Sequence, residues 1–207
     1  VYFSCIPNIW DLKDVNKDGV AEAREVLYEG FGVHYSFWGH DLNGFKLGPD
    51  GRLYFTVGDR GFNIKTKDGK QLKDVNAGAV FRMEHDGSNL ELFYHNLRNP
   101  KELAFNKYGQ LFTGDNNGDM GDKARLVYCI EQGNSGWNSD LQFMHTFYSS
   151  VYPGDDIGRF KAWNDENMWK PTDNKRAYHL APIANISNGP SGFTYNPGTG
   201  LNKSYLD

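Results

Sequence analysis

Residues 45–58, FKLGPDGRLYFTVG, indicate the fold class of this chain. Apolar residues on both sides flank a Pro-Asp-Gly turn, in which glycine supplies the positive φ and aspartate caps its own backbone. Two further stretches repeat the arrangement, AVFRMEHDGSNLELFYH (residues 79–95) and ELAFNKYGQLFTGD (residues 102–115). The pattern predicts antiparallel hairpins, with strand over most of residues 40–130. Their turns are expected at Asp50-Gly51, Asp86-Gly87 and Tyr108-Gly109.

The first and third hairpins also form a faint internal repeat. LGPDGRLYF (residues 47–55) and FNKYGQLFT (residues 105–113) share an apolar residue, three turn residues, a glycine and a leucine followed by an aromatic residue. Short strands with repeated Gly-aromatic hairpins are typical of a β-sandwich or a β-propeller. The copies are about 58 residues apart, which fits one blade with a long loop. We therefore expect an all-β propeller.

Two segments depart from the hairpin pattern. Residues 21–30, AEAREVLYEG, are a candidate for one short turn or helix. Residues from about 140 to 180 are rich in aromatic residues, Asp and Asn and have little periodicity, which predicts a long irregular insertion over one face. We expect residues 1–207 to form one partial propeller domain. Because the chain begins within a strand pattern and without an initiator Met, the remaining blades are expected outside it.

The composition argues against several classes of function. The chain has 207 residues, of which 39% are hydrophobic, and its net charge is −4. No basic face stands out, which argues against a nucleic-acid partner. No apolar run approaches the roughly 20 residues that a membrane-spanning helix needs. Cys5 and Cys129 are too few for a disulfide framework, and both one bridge and two buried thiols are compatible with the sequence.

Residues 14–25, DVNKDGVAEARE, match the D-x-[DN]-x-[DN]-G-x₅-E pattern of a calcium-binding loop. The expected oxygen ligands are Asp14, Asn16, Asp18, the Val20 carbonyl, Glu22 and Glu25. Gly19 lies where such a loop must turn sharply. The alternative is a polar surface turn without an ion. We favour a structural calcium site, because no long helix flanks the loop as in an EF-hand.

A second acidic loop, GDNNGDMGDKAR (residues 114–125), is a weaker candidate for a cation site. Its candidate ligands are Asp115, Asn117, Asp119 and Asp122. The alternative is an Asn/Gly-rich loop whose side chains cap its own backbone.

Three polar residues next to predicted strands are candidates for a binding or catalytic site. His40 precedes one strand, and Arg98 and Asn99 precede Pro100 and another strand. Neutral imidazole is a competent base near pH 7, an arginine fork can grip a carboxylate or a sugar hydroxyl, and a residue before proline is held extended. From these residues alone, a hydrogen-bonded structural histidine and a loop salt bridge are the simpler explanations.

Four motifs follow one another along the chain: HDLNGFKLGPDGRLYFTVGDRGFN (residues 40–63), LRNPKELAFNKYGQLF (97–112), EQGNSGW (131–137) and GPSGFTYNPGTGL (189–201). Their order resembles the glucose/sorbosone dehydrogenase family, the soluble PQQ-dependent sugar dehydrogenases. The lead-in VYFSCIPNIWDLKDVNKDGVAEAREVLYEGFG (residues 1–32) is similar to one branch, the large membrane-bound dehydrogenase-like proteins of planctomycetes and related bacteria. The resemblance covers nearly the whole chain. It implies a six-bladed β-propeller with a cofactor on its top face.

The resemblance also implies roles for the three polar residues. By position, His40 matches the family's catalytic base, Arg98 the arginine that contacts sugar and cofactor, and Asn99 a cofactor-binding asparagine. The implied reaction is proton abstraction from a sugar hydroxyl by His40 with hydride transfer to the quinone of PQQ, while Ca²⁺ polarises the quinone and Arg98 steadies the developing charge. The expected function is a PQQ-type dehydrogenase that oxidises a sugar or related alcohol.

Some positions depart from the family's pattern. Gly39 stands where the glucose enzymes have a substrate-contacting Asp. The loop from Asp115 to Asp122, which in those enzymes gives backbone carbonyls to the cofactor calcium, is longer and more acidic here. The Lys and Arg residues that hold the PQQ carboxylates in the family are absent from this chain. These departures favour the alternative function, a non-catalytic calcium-stabilised propeller that binds carbohydrate or a protein partner.

The resemblance finally implies partners and a location. It implies a sugar or polyol substrate, a cytochrome c electron acceptor, and an extracytoplasmic place in a bacterium, either periplasmic or in the cell envelope. The identity of the substrate is not indicated, because selective contacts usually come from loops that vary freely.

Overall fold

The computed structural model describes residues 1–34, 39–140, 150–151, 153–154, 161–171, 179–200, 202 and 204. Nearly all of its regular structure is β-strand. In chain order the strands are β1 (Tyr2–Cys5), β2 (Asn8–Lys13), β3 (Ala23–Glu29), β4 (Leu42–Leu47), β5 (Leu53–Val57), β6 (Phe62–Lys65), β7 (Gln71–Asp74), β8 (Gly78–Met83), β9 (Glu91–Leu97), β10 (Pro100–Phe105), β11 (Leu111–Asp115), β12 (Arg125–Cys129), β13 (Gly133–Asn134) and β14 (Ala184–Asn185). A short helix, α1 (Ala162–Asp165), lies between β13 and β14.

Two meander sheets form the centre of the molecule, and their strands pair antiparallel except for β13, which pairs with β9 in parallel. One has the strand order β13-β9-β8-β5-β4 and the other β10-β11-β12-β14. Strands β1-β2-β3 form a third sheet, and β6-β7 is a separate hairpin. The all-β prediction is confirmed, and the two central meanders have the strand order of propeller blades. The number of blades in the complete protein stays a prediction.

The three predicted turns connect strands of the central sheets, which confirms the hairpin assignments. Each closes with a backbone hydrogen bond from its glycine N–H to the carbonyl three residues earlier, at 3.0 Å for Gly51, 2.9 Å for Gly87 and 3.0 Å for Gly109. The φ angles of the three glycines are 80°, 77° and 77°. These values lie in the left-handed region that glycine adopts without strain.

Aromatic side chains fill the space inside the sheets. Phe31, Phe55 and Phe81 are fully buried, with ring centroids 5.4 to 5.6 Å apart. A second cluster, which includes Tyr94 and Leu103, packs the two central sheets against each other. Burial of each such side chain contributes about 1.5–3 kcal/mol, so the relative position of the two sheets is fixed by apolar packing.

The first strands of the two central sheets, β4 and β10, lie side by side. A Cβ atom on Gly44 in β4 would lie 2.9 Å from the Cα atom of Glu102 in β10, so only glycine allows this approach. Thr56 Oγ1 lies within hydrogen-bond distance of the carbonyls of Asn43 (3.1 Å) and Pro100 (3.0 Å). The residues that precede β4 and β10 therefore lie at the same end of the molecule.

Other expectations have mixed outcomes. Residues 21–30 do not form a helix: Ala23–Glu29 is β3 and pairs with β2, because tertiary pairing overrides weak helix propensity. The predicted insertion at about 140–180 lies largely outside the described residues. Cys5 is exposed and Cys129 buried, both as free thiols, and burial raises the pKa of the Cys129 thiol. In the described part of the chain, no helix is long and apolar enough to cross a membrane.

Candidate functional site

His40 lies opposite an aspartate across the β4–β5 hairpin. Leu42 pairs with Val57 in that hairpin, so continuing the antiparallel register by two residues places His40 opposite Asp59. The His40 Nδ1 atom lies 2.6 Å from Asp59 Oδ1. Both side chains are buried, with exposed fractions of 9% and 6%. The contact is therefore a short, desolvated hydrogen bond, which fixes the imidazole ring.

The second oxygen of Asp59 is also occupied. Trp137 Nε1 donates a hydrogen bond of 2.9 Å to Asp59 Oδ2. An ionised carboxylate only accepts hydrogen bonds, so the Nδ1 atom of a neutral His40 must carry the proton that it shares with Asp59. The Nε2 atom of His40 then holds the free lone pair, which is the arrangement of a general base.

Arg98 and Asn99 form the neighbouring wall of the site. The backbone N–H of Asp59 donates to the Arg98 carbonyl at 2.6 Å, and the Arg98 guanidinium carbon lies 5.6 Å from the centre of a Trp137 ring. Asp59 thus contacts both His40 and Arg98, and Trp137 contacts Asp59 and Arg98. The structure brings the three polar residues singled out in the sequence to one place, at the starts of β4 and β10.

Asp115 holds the backbone of Arg98 and Asn99. It accepts their N–H groups at 3.1 Å and 2.8 Å. Asp115 also forms an ion pair with Arg125, its direct partner across β11 and β12, and both side chains are fully buried. Arg125 Nη1 donates to the Ser135 hydroxyl at 2.9 Å. This network fixes the backbone from which the Arg98 and Asn99 side chains extend.

Two buried polar atoms of this wall have no partner within the described chain. Arg98 Nη1 and Asn99 Oδ1 are inaccessible and make no hydrogen bond in the described structure, although Arg98 and Asn99 are only 5% and 2% exposed. Buried polar groups are nearly always hydrogen-bonded. One donor atom and one acceptor atom of this wall are therefore left unsatisfied within the described structure.

The second acidic loop does not gather its carboxylates around one point. Asp115 is engaged by Arg125, and Asp119 forms an ion pair with Arg98 Nη2. Asp122 accepts the Gly118 N–H at 2.6 Å and the Trp163 Nε1–H at 2.9 Å. The carboxylates that were expected to bind a cation instead bind arginine side chains and N–H groups.

The first acidic loop does bring carboxylates together. Ligand atoms of Asp14, Asp18 and Glu22 lie within 4.8 Å of one another, and all three residues are exposed. Asp14 accepts the Gly19 N–H at 2.9 Å, as expected for a sharply turned loop. Glu25 lies outside this group, because its carboxylate contacts Lys13 Nζ at 3.4 Å.

The remaining expected ligands lie in the same loop. Asn16 Oδ1 accepts the Asp18 N–H at 2.9 Å, and the Asn16 amide donates to Asp18 Oδ2 at 3.1 Å. The Val20 N–H donates to Asp18 Oδ1 at 2.8 Å. These contacts pre-shape the loop without an ion.

Sequence reasoning missed the residues that support the site. Asp59 and Arg125 carry a local signal, since each lies opposite a polar partner across a predictable hairpin. Trp137 carries none, because its contact with Asp59 joins residues 78 positions apart. Trp163 packs edge-on against Trp137 with ring centroids 5.0 Å apart, and its place also depends on the folded chain.

The sequence and the fold of this chain are similar to those of known sugar dehydrogenases. Over 124 residues, the chain is 27% identical to quinoprotein glucose dehydrogenase B of Acinetobacter calcoaceticus, a match that covers 47% of this chain and 26% of that protein. The PQQ-bound form of aldose sugar dehydrogenase from Streptomyces coelicolor matches 95% of this chain and 52% of its own, with a TM-score of 0.58 and 19% identity. A glucose dehydrogenase-type oxidoreductase from Thermus thermophilus matches 92% of this chain and 52% of its own, with a TM-score of 0.56 and 18% identity.

The two structural matches establish a shared fold, and this chain spans about half the length of those structures. The family model that matches the sequence is described as a domain of unknown function, DUF7133, and it covers residues 1–167. That match includes both acidic loops, His40, Arg98 and Asn99. The chain therefore belongs to the DUF7133 family, with the fold of PQQ-binding sugar dehydrogenases.

Proposed function

We propose that this chain provides the base-bearing half of the active site in a PQQ-dependent dehydrogenase that oxidises a sugar or related alcohol. The observation that carries the proposal is the buried His40–Asp59 pair beside two unpaired buried atoms, Arg98 Nη1 and Asn99 Oδ1. A base and unsatisfied hydrogen-bonding groups at one position are what a polar substrate and cofactor need. The similarity to a quinoprotein glucose dehydrogenase supports the same proposal.

His40 acts as the general base in this proposal. Asp59 holds the Nδ1–H by accepting it at 2.6 Å, which leaves Nε2 to remove the proton of the substrate hydroxyl. As that O–H bond breaks, the carbon–oxygen double bond forms and the C–H bond releases its electron pair as hydride. Asp59 also stabilises the imidazolium that forms on His40. General-base catalysis of this kind accelerates a reaction about 10²–10⁴-fold.

Arg98 and Asn99 fit the cofactor that the fold implies. The unpaired Nη1 can donate to a quinone or carboxylate oxygen, and the unpaired Oδ1 can accept from a ring N–H. The chemistry that PQQ would supply here, when bound, is an acceptor for the hydride. Arg98 holds developing negative charge at this place, and Trp137, packed under the guanidinium at 5.6 Å, keeps it oriented. Asp115 and Arg125 position the backbone that carries both side chains.

A structural calcium ion in the loop of residues 14–25 is part of the proposal. The converging oxygens of Asp14, Asp18 and Glu22 support it. Asn16 and the Val20 carbonyl are the further proposed ligands. Glu25 would also bind the ion, once its carboxylate has left its contact with Lys13. A second cation at Asp115, Asn117, Asp119 and Asp122 has no such support, since Asp115 and Asp119 are paired with arginines.

The second candidate function is a non-catalytic propeller that binds carbohydrate or a protein partner. The observation that favours it is the ion pair between Asp119 and Arg98, because it occupies part of the guanidinium that a reaction would use.

For the dehydrogenase we further propose a sugar or polyol substrate, a cytochrome c electron acceptor and an extracytoplasmic bacterial location. Membership of the planctomycete-type branch stays a prediction.

The experiment that separates the two functions is dye-linked oxidation of aldoses by the full protein supplied with PQQ and Ca²⁺. Wild-type protein is expected to turn over, and His40→Ala to lose about 10²-fold or more in kcat while it remains folded, with a lower melting temperature because the buried Asp59 carboxylate loses a partner. His95→Ala is the control variant, since the His95 ring has Gln132 as its partner, at 3.4 Å, rather than a carboxylate. No turnover by wild-type protein that binds PQQ would favour the non-catalytic function.

A further inference from the structure

Lys101 places a cation at the edge of the His40 site. It lies in β10, two residues after Asn99, and its Nζ atom donates to the carbonyl of Gly39, the residue before His40. The Asn43 Oδ1 atom lies 3.4 Å away. A register shift between Lys101 and Leu103 marks a bulge in β10, and bulges re-aim side chains near functional sites. The amine is therefore held between the His40 and Asn99 sides of the site.

The charge of Lys101 has no carboxylate within ion-pair distance among the described residues. By contrast, the partly or fully buried arginines Arg52, Arg82, Arg98 and Arg125 each contact an acidic side chain. Both partners of Lys101 are neutral oxygens. Burial lowers the pKa of the Lys101 ammonium, and the more distant Asp41 opposes that shift only in part. A half-buried cation with neutral partners is costly unless an anion joins it.

Space for such an anion lies in front of Gly39. The backbone of Gly39 has φ 65°, and a Cβ atom there would lie 3.6 Å from Lys101 Nζ, with no other heavy atom of the described, non-adjacent residues within 4 Å. The side-chain direction of Gly39 thus opens onto the amine. The charge of Arg98 is already matched by Asp119, so Lys101 is a cation beside His40 whose charge no carboxylate of the described residues matches at ion-pair distance.

We propose that Lys101 binds a carboxylate of the substrate, so that the His40 site takes sugar acids such as uronates in preference to neutral sugars. The inference rests on the proposed function for the reaction, but it concerns binding alone. An ammonium on a flexible stem suits a single carboxylate as a point charge, and a charge-assisted hydrogen bond is stronger than one between neutral groups.

The test is calorimetric binding of D-glucuronate, D-glucose and D-glucuronamide to the full protein, with and without PQQ. The three ligands share their ring, and glucuronamide replaces the carboxylate by a neutral isostere. Wild-type protein is expected to bind glucuronate at least about tenfold more tightly than either neutral ligand, the effect of one charge-assisted hydrogen bond. Lys101→Gln should remove that preference, and Lys101→Arg should restore most of it. Lys107→Gln, in the exposed turn at Tyr108, is the matched control and should keep it.

Three outcomes overturn the inference. If wild-type protein binds the three ligands equally, Lys101 does not select a carboxylate. Turnover of glucose by the same preparation would then leave the dehydrogenase proposal intact. If Lys101→Gln still prefers glucuronate, another residue is responsible for the preference. Loss of PQQ affinity in Lys101→Gln, with the preference for glucuronate unchanged, assigns the amine to a cofactor carboxylate.

Discussion

The two acidic loops of this protein have similar sequences, but their carboxylates differ in exposure and in the groups that bind them. Residues 14–25 are exposed, and three of their carboxylates converge within 4.8 Å. In the loop from Asp115 to Asp122, two of the acids are buried, and each carboxylate is bound to an arginine or to N–H donors. Both loops are rich in Asp, Asn and Gly. Composition therefore does not decide which loop can hold a cation, because among the described residues arginine side chains pair with carboxylates of only the second loop.

The two loops differ in the partners that are available to their carboxylates. A carboxylate pair in water tolerates its own repulsion or attracts a metal ion, whereas a buried carboxylate must be matched by a protein donor. Asp115 is matched by Arg125 and by two backbone N–H groups. The second loop consequently builds the site, while the first remains a surface feature.

The largest expected effect comes from breaking the buried ion pair. Asp115→Asn leaves the Arg125 charge unpaired in the interior and should lower the free energy of unfolding by about 3–5 kcal/mol. The matched change in the exposed loop, Asp14→Asn, should cost less than about 1 kcal/mol in chelator. Both are measured by chemical denaturation.

A double variant keeps that prediction testable if Asp115→Asn does not fold. Asp115→Asn with Arg125→Gln removes both charges and keeps an acceptor for the Arg98 and Asn99 N–H groups, so it should recover at least half of the lost stability. A loss of less than about 1 kcal/mol in the single variant would contradict the assigned role of the pair.

An intermediate effect is expected from calcium. A single ion bound only by the folded state stabilises it by about 2.7 kcal/mol at a concentration 100 times its Kd. Added Ca²⁺ should therefore raise the melting temperature, and chelator should remove the increase. Asp18→Ala should abolish it, and Asp119→Ala should not. Equal melting of the wild type with and without calcium would refute the site.

The smallest expected effect on stability concerns Asp119. Its side chain is 68% exposed, whereas that of Arg98 is 6% exposed, so solvent screens only one partner of this pair. Asp119→Asn should therefore lower the free energy of unfolding by less than Asp115→Asn does, while it removes the charge that neutralises the Arg98 guanidinium. We expect PQQ to bind more tightly to this variant, measured by absorbance titration. Weaker binding would show that Asp119 supports the ligand rather than competing with it.

The sequence was sufficient for the local parts of the fold. The turns at Gly51, Gly87 and Gly109 follow from residues whose backbone preferences are strong and independent of context. The strand β3 was not predictable in the same way. Its residues suit a helix as well as a strand, and pairing with β2 decides between them.

The site was predictable only where it depends on local geometry. His40, Arg98 and Asn99 were found from their positions before strands and from the family resemblance. Their partners depend on long-range contacts: Trp137 meets Asp59 across 78 residues and Trp163 meets Asp122 across 41. The two acidic loops also differ in part for this reason, since Arg98, which binds Asp119, lies between β9 and β10.

The hairpin that joins His40 to Asp59 has a consequence for the order of folding. The two residues are 19 positions apart, and contacts of short sequence separation cost less loop-closure entropy and form sooner. Hairpins close in about 1–10 μs, whereas the indole of Trp137 can reach Asp59 only after distant segments have collapsed together. We therefore expect His40 and Asp59 to pair early in folding, and the indole that completes their contact to arrive late.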